Sequence, residues 1–515
     1  MPTVARLHEY QGKALLAGAG VAVPEGAPVT NPSEAAAMAR RLGGRVVLKV
    51  QAWVTGRAAM GGVRFVETPD QAEEAAAALL ALKLGHFEIR EVLVERALDI
   101  AHELFVSVAI DDEARAPILL LDAHGGSGIE QRAGSVHRLP VDVHTGVRDD
   151  ALADVLRTSP IEPCHHGMVI ESIRAIVTLA AGCEARSLEV NPLVVTVQGA
   201  VVAVDCRMAI DDYAVFRHPE LGIEIARELD HPATRLERWA YRVEQLDHRG
   251  TFYFAQLPVN GTPGTPGTTG TTGSRGLIGF HGAGGGGSMM SMDAISRLGF
   301  QLANFCDTSG NPSAGKVYRA ARIILAQDGL VGYFGSGSGV ASQEQYHSAY
   351  GLAKAFAELE LSIPAVIRLG GNGEDRAVEI LRDIGEQIPA EIRGYRKDDT
   401  PAFIADRFAE LVEQANGARW SPRARTIPGF VGSGYRFPIT HGTVWIDHER
   451  CDAPTTALVI GNSSGLLVED NGRPVLAVSA DDVADRDSEL VALEIECRRA
   501  ARPVVFVDLP VEGLD

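Results

Sequence analysis

From residue 277 to about 416 the chain repeats one beat, in which an apolar run of strand length leads through glycines into a helical pattern. Residues 277–280 read as a strand, and the glycine-rich run 282–287 opens a helix over 288–298. The runs 301–305, 329–334 and 365–369 follow as strands, with helical patterns around 314–327 and up to 359 between them. Strands joined by helical crossovers lie parallel, because each crossover brings the chain back to the same end of the sheet. The pattern predicts a flavodoxin-like parallel sheet with glycines after the strand ends.

Residues 1–235 alternate helix and strand without that regularity. A helix over 33–42, with Ser33 as N-cap, precedes a strand over 46–50. A helix over 69–84 precedes a strand over 91–95 and the apolar runs 103–110 and 117–121. A mixed, largely antiparallel α+β sheet fits this order best. Residues 262–273 repeat Gly-Thr-Pro and Gly-Thr-Thr, which bury no apolar surface and predict a mobile loop. Three domains are expected: 1–235, 236–416 with the loop 261–275 inside it, and a small module over 417–515 with short strand-like runs.

Within the first domain, residues 187–195 and 201–205 form two apolar runs joined by a turn at Gln198-Gly199 and read as a β-hairpin. Asn191 and Asp205 put a carboxamide and a carboxylate on its polar face. Hard oxygen donors of this kind suit Mg²⁺, which keeps its waters and bridges to a nucleotide phosphate. Lys49 near a strand end, followed by the loop Gly56-Arg57 through Gly61-Gly62, makes a phosphate grip. Glu95 and Glu103 flank the connector Arg96-Ala97-Leu98-Asp99-Ile100, an arrangement able to read an adenine edge and a ribose. Each of these features alone is an ordinary surface charge or turn; their value lies in their order.

The net charge of −19 disfavours nucleic acid and anionic membrane surfaces as partners. No apolar run spans a bilayer and no signal-peptide pattern opens the chain, so a cytoplasmic location is expected. The six cysteines are scattered without paired spacing and read as reduced thiols.

Taken in order, Leu7-His8-Glu9-Tyr10-Gln11, Lys49, Gly56-Arg57, Glu95, Glu103, Gly125-Gly126, Glu189-Val190-Asn191-Pro192-Leu193 and Asp205 resemble the β subunit of succinyl-CoA synthetase, an ATP-grasp protein of the ADP-forming acyl-CoA synthetase family. Gly282-Ala283-Gly284, Met292-Asp293, Ala303-Asn304-Phe305 with Asp307, and Ala365-Val366-Ile367-Arg368-Leu369 extend the resemblance to about residue 415. It implies an ATP-grasp domain, a flavodoxin-like CoA-ligase domain and a place in tricarboxylic acid cycle chemistry. ATP phosphorylates a histidine, the phosphate passes to a carboxylate, and CoA displaces it. It also implies an α-type CoA-binding partner that carries the phosphohistidine, since no CoA fingerprint opens this chain. Carried over by motif position, Lys49, Gly56, Arg57, Glu95, Leu98 (through its backbone) and Glu103 contact ATP. Asn191 and Asp205 hold Mg²⁺, Glu189 meets the histidine phosphate, and the helix after Gly339 points its N-terminus at the phosphohistidine.

Three departures from the family pattern qualify the resemblance. The phosphate loop reads Thr55-Gly56-Arg57-Ala58-Ala59-Met60-Gly61-Gly62, with fewer glycines and one cation fewer, and Gly128 stands before Ile129-Glu130 where the family prefers an acid. The loop 335–343 is rich in hydroxyls and lacks the family's arginine, which points to a carboxylate other than succinate. Residues 417–515 have no counterpart and resemble a degenerate ferredoxin-like module, whose two cysteines, Cys451 and Cys497, are too few for a four-iron cluster. The departures leave two alternatives: a non-catalytic regulatory or scaffolding subunit, and an ATP-grasp ligase with an amine acceptor. Cys164-His165-His166 reads as a surface turn, His281 as packing near the sheet edge, and Met289-Met290 with Met292 as a core stripe.

Overall fold

The computed structural model describes residues 5–54, 56–84, 87–126, 136–229, 231–247, 249–258, 275–337, 343–432 and 434–515. The low-complexity stretch 262–273, Gly128 with Ile129 and Glu130, and the loop residues 338–342 with Gly339 lie outside the described residues. The chain forms two compact units, Met1–Ala233 and Thr234–Asp515.

The first unit opens with α1 (Glu9–Gly18), β1 (Gly26–Val29), α2 (Pro32–Leu42), β2 (Val46–Val50), β3 (Val63–Val66), α3 (Pro69–Leu80), the short pair β4 (Lys83–Leu84) and β5 (Phe87–Glu88), and β6 (Val92–Arg96). An antiparallel sheet runs β1-β6-β2-β3. The cap of α2 is Asn31, not Ser33: its side chain accepts from the Glu34 N–H, and Pro32 occupies the first turn, where no donor is needed. Thr68 caps α3 in the same way, and α3 stops at Leu80 rather than 84. Ala35, Ala39, Ala72 and Ala76 let both helices pack close to Val46, Leu48, Val92 and Val94.

A second sheet follows from β7 (Ile100–Asp111), β8 (Ala116–Asp122), β9 (His137–Pro140), α4 (Asp149–Arg157), α5 (His166–Gly182), β10 (Ala185–Thr196), β11 (Val201–Ala203) and β12 (Arg207–Ile210). Its order is β11-β10-β7-β8-β9, all antiparallel, with β12 continuing along the edge of β10 that β11 occupies. Val169, Ile173, Ile176, Val177 and Ala180 form the buried face of α5, at helical spacing.

The second unit contains α6 (Arg235–Leu246), β13 (Tyr253–Gln256), β14 (Gly276–Ala283), α7 (Gly285–Arg297), β15 (Phe300–Leu302), β16 (Asn304–Asp307), α8 (Ala314–Ile324), β17 (Leu330–Gly337), α9 (Tyr346–Glu358), β18 (Ala365–Arg368), α10 (Glu374–Gly385), β19 (Ile392–Tyr395) and α11 (Pro401–Gln414). The strands β16-β14-β17-β18-β19 are parallel, which is the flavodoxin-like order. β13 adds antiparallel to β16, and β15 pairs with β14.

Residues 417–515 supply β20 (Tyr435–Ile439), β21 (Gly442–Ile446), α12 (Ala453–Gly461), β22 (Leu467–Asp470), β23 (Arg473–Leu476), α13 (Ala480–Val483), α14 (Asp487–Arg499) and β24 (Val505–Asp508). They share one apolar core with α8 and α9, through Val491, Ile495, Val505 and Val507. The segment read as part of a ferredoxin-like module, Glu494-Ile495-Glu496-Cys497, lies in α14, and Cys451 and Cys497 are free thiols. Because α14 packs on α9, Lys354 in the middle of α9 is wholly buried. Its ammonium donates to Glu358 at 2.5 Å and to Glu494 at 2.6 Å, and the Tyr318 hydroxyl also donates to Glu358, at 2.5 Å. Burial pushes the Glu494 carboxyl above its usual range, against the pull of Lys354.

Among the described residues no helix is long and apolar enough to cross a membrane. Replacing Lys354 by Met leaves two buried carboxylates without their cation and should cost about 3–5 kcal/mol. Urea unfolding of the full chain measures this, and a loss under about 1 kcal/mol would show that the cluster does not hold α14 to α9.

Candidate functional site

Six charged side chains of the first unit meet at one point. Glu9 and Lys13 stand one turn apart on the same face of α1 and are both buried. Lys49 and Glu95 project from the same face of the adjacent strands β2 and β6, whose register pairs Val47 with Glu95 and Lys49 with Leu93. Arg57 comes from the loop between β2 and β3, and Asp205 from the break between β11 and β12.

One oxygen of Glu9 lies 2.8 Å from both the Lys13 and Lys49 ammonium groups. Glu95 holds Lys13 at 2.6 Å and Lys49 at 3.0 Å. Lys49 also donates to the Val204 carbonyl at 2.7 Å. One guanidinium nitrogen of Arg57 donates to the Val50 carbonyl at 3.1 Å, and the other donates to both Asp205 oxygens, at 3.0 and 2.9 Å. The second Glu9 oxygen forms an ion pair with that same nitrogen at 2.7 Å. Three carboxylates thus face three cations, and only the Asp205 side chain, 21% exposed, reaches appreciably toward solvent. Burial alone would raise the Glu9 carboxyl, but Lys49, Lys13 and Arg57 together hold it well below the usual carboxylate range. Burial would likewise lower Lys49 and Arg57, and their carboxylate neighbours hold both above their ordinary values.

Asn191, whose bond to Pro192 is cis, stands beside this cluster. The pairings Leu193–Ala203 and Glu189–Arg207 keep one register across the gap between β11 and β12, which sets Asn191 opposite Asp205. The Asn191 carboxamide oxygen accepts from the Gly126 N–H at 2.9 Å. Gly126 has a φ of +84°, and a side chain there would run into the Glu103 carboxylate. Glu103, Gly126 and Asn191 are therefore in one place, next to β7 and β10.

Of the remaining predicted residues, Gly56 (φ +71°) turns the exposed start of the Arg57 loop, and Leu98 is half-buried in the connector between β6 and β7. Glu189 lines a cavity of about 190 Å³ together with Glu9, Trp53, Arg57, Cys206 and Arg207. The structure brings Lys49, Arg57, Glu95 and Asp205 into direct ionic contact. Both Glu95 oxygens are taken by ammonium groups, so here it orients Lys49 rather than facing outward. Sequence reasoning gave Glu9 and Lys13 no role. The available signal was a charged pair at i, i+4 on the buried stripe that also carries Gly12 and Leu16.

Several other readings change. His281 sits on the central strand β14, not at an edge, with its ring nitrogens bonded to the Tyr333 hydroxyl at 2.5 Å and to Thr308 at 3.0 Å. Burial pushes its pKa down to about 4. Met289 and Met290 are exposed, because the buried face of α7 is Ser288, Ser291 and Ile295. The turn at Cys164-His165 carries ligand atoms of Glu162, Cys164 and His165 within 4.8 Å of one another, with Glu162 and Cys164 exposed.

His8 stacks on Trp53 with ring centroids 4.7 Å apart, and burial, with Arg57 adding to it, lowers its pKa from 6.5 to about 4. Between these values the unfolded chain binds a proton that the folded chain does not, so stability falls as the pH drops from 6.5 to about 4. His8→Phe should flatten that decline by up to about 1.4 kcal/mol per pH unit. Thermal unfolding across this range provides the check, and an unchanged slope would refute it.

Residues 6–195 match the ATP-grasp domain family, and residues 271–407 match the ATP citrate lyase citrate-binding family. The chain is 32% identical over 380 residues to the GDP-forming succinate–CoA ligase subunit beta of Thermus thermophilus, covering 73% of this chain and 93% of that one. It is 31% identical over 390 residues to the ADP-forming subunit beta of Gemmatimonas aurantiaca, covering 74% and 93%. In fold it is similar to ATP citrate lyase from Methanothrix soehngenii, solved with citrate and coenzyme A. The TM-score is 0.63 at 20% identity, over 79% of this chain and 99% of that one. With two such relatives spanned almost end to end, the chain belongs to the family of succinate–CoA ligase β subunits.

Proposed function

We propose that this chain is the nucleotide-binding subunit of an ADP-forming carboxylate–CoA ligase and works with an α-type subunit that carries the CoA site and a phosphorylated histidine. The observation that carries the reading is the meeting of Lys49, Arg57 and Asp205 in one buried cluster, with Asn191 across the strand from Asp205. Phosphoryl transfer asks a protein mainly for position and charge compensation. Lys49, steadied by Glu9 and Glu95, and Arg57 compensate the polyphosphate. Gly56 lets the loop pass close to it. Glu103 and the backbone at Leu98 stand where ribose and base are read.

The donor set at Asn191 and Asp205, one amide oxygen and one carboxylate on facing positions, suits Mg²⁺. These two residues would hold it, and it would supply charge neutralisation on the nucleotide phosphates. Glu189, on the wall of the neighbouring cavity, meets the incoming histidine phosphate. The acyl acceptor is a carboxylate and the thiol is CoA.

Asp205→Ala should weaken Mg²⁺-dependent ATP binding by at least about tenfold in calorimetry on the full chain, since a metal carboxylate is lost. Unchanged affinity would remove the site assignment. A screen of carboxylates with CoA, run with ATP and with GTP, should give acyl-CoA only when an α-type subunit is added. Thioester formed by this chain alone would refute the half-enzyme reading.

A further inference from the structure

The cluster that this reading assigns to phosphate binding is closed on itself. Glu9, Glu95 and Asp205 neutralise Lys13, Lys49 and Arg57, so it offers a polyanion no net attraction. The contacts are not equivalent. Lys13, Lys49, Glu9 and Glu95 are deeply buried and tied by several short ion pairs, whereas Asp205 is the most exposed member and makes its direct ion pair with Arg57. Apart from Arg57, the Asp205 carboxylate accepts a hydrogen bond from the Cys206 N–H. Arg57 has separate anchors in the Val50 carbonyl and the charge of Glu9, and neither involves Asp205.

Resting on the proposed nucleotide site, we propose that Arg57 is a counter-ion switch: in the nucleotide-free chain it blocks the Asp205 carboxylate, and it turns to the nucleotide phosphates when a divalent cation competes for that carboxylate, with Glu9 and the Val50 carbonyl keeping hold of it. Glu9 is then a positioning residue, the pivot that keeps Arg57 beside Lys49 in both states. The step breaks only ionic hydrogen bonds and moves no covalent bond. Its consequence is reciprocal coupling: cation and nucleotide each bind better in the presence of the other, because each draws away one half of the same ion pair.

An inverted effect separates this switch from a simple metal ligand. Asp205→Asn removes the charge that occupies Arg57 but keeps an oxygen for the Cys206 N–H. Binding of ADP in EDTA should therefore tighten by about tenfold relative to the native chain, since a charged hydrogen-bonded contact no longer competes. The gain from Mg²⁺ should fall sharply in the same variant. In the double variant Asp205→Asn with Arg57→Gln the metal-free gain should disappear, which traces it to the guanidinium. Calorimetry on the full chain reads all three, with circular dichroism confirming that each variant is folded. If the native chain binds Mg²⁺·ADP and folded Asp205→Asn binds metal-free ADP no better than the native chain does, the switch is wrong and the site assignment survives. If the native chain binds no nucleotide with Mg²⁺ present, the site assignment itself fails and the switch with it. A metal-free gain that persists without Arg57 also overturns the switch.

Discussion

The ionic contact between Arg57 and Asp205 closes a cluster that joins α1, both sheets of the first unit and the loop after β2. Groups of this charge are not buried singly, because each would lose several kcal/mol of hydration with nothing in return. Their burial is possible because every cation meets a carboxylate within ordinary ion-pair distance. The helix α1, short and only weakly amphipathic, is positioned by this cluster: two of its four buried residues are Glu9 and Lys13. A cluster assembled in this way holds Lys49 from two sides, through Glu9 and Glu95.

The second unit solves the same problem for a different purpose. Lys354, Glu358 and Glu494 bury one cation and two carboxylates between α9 and α14, with Tyr318 and the Val507 N–H as further donors. Here the charges join the C-terminal residues to the parallel sheet's helices and are wholly or almost wholly buried. Gly351 permits the close approach of α9 to α8, where any side chain would strike the Ala314 carbonyl.

Repetition made the parallel sheet legible in the sequence, because strand, glycine and helix recur with the spacing that crossovers require. The hairpin that carries Asn191 and Asp205 was legible for a similar local reason: two apolar runs flank a short turn, and the observed register places the two residues opposite each other. Ser33 failed as a cap because Pro32 fills the first helical turn and leaves Asn31 as the cap. Met289 and Met290 failed as core because hydrophobicity does not say which helix face meets the sheet. Cys451 and Cys497 suggested a module of their own, whereas Cys497 sits in a helix packed on α9.

The amino-acid order alone determined most strands and helices before residue 417, that the main sheet of the second unit is parallel, and which residues carry the oxygen donors and cations. Those properties follow from periodicity and side-chain chemistry, which act over a few residues. Only the tertiary structure decided that Glu9 and Lys13 belong with Lys49, Glu95, Arg57 and Asp205, residues up to about two hundred positions apart. It also decided that Lys354 has no access to water. Whether a charge is solvated or buried, and which opposite charge it meets, depends on how separate elements pack, and no local pattern encodes that packing.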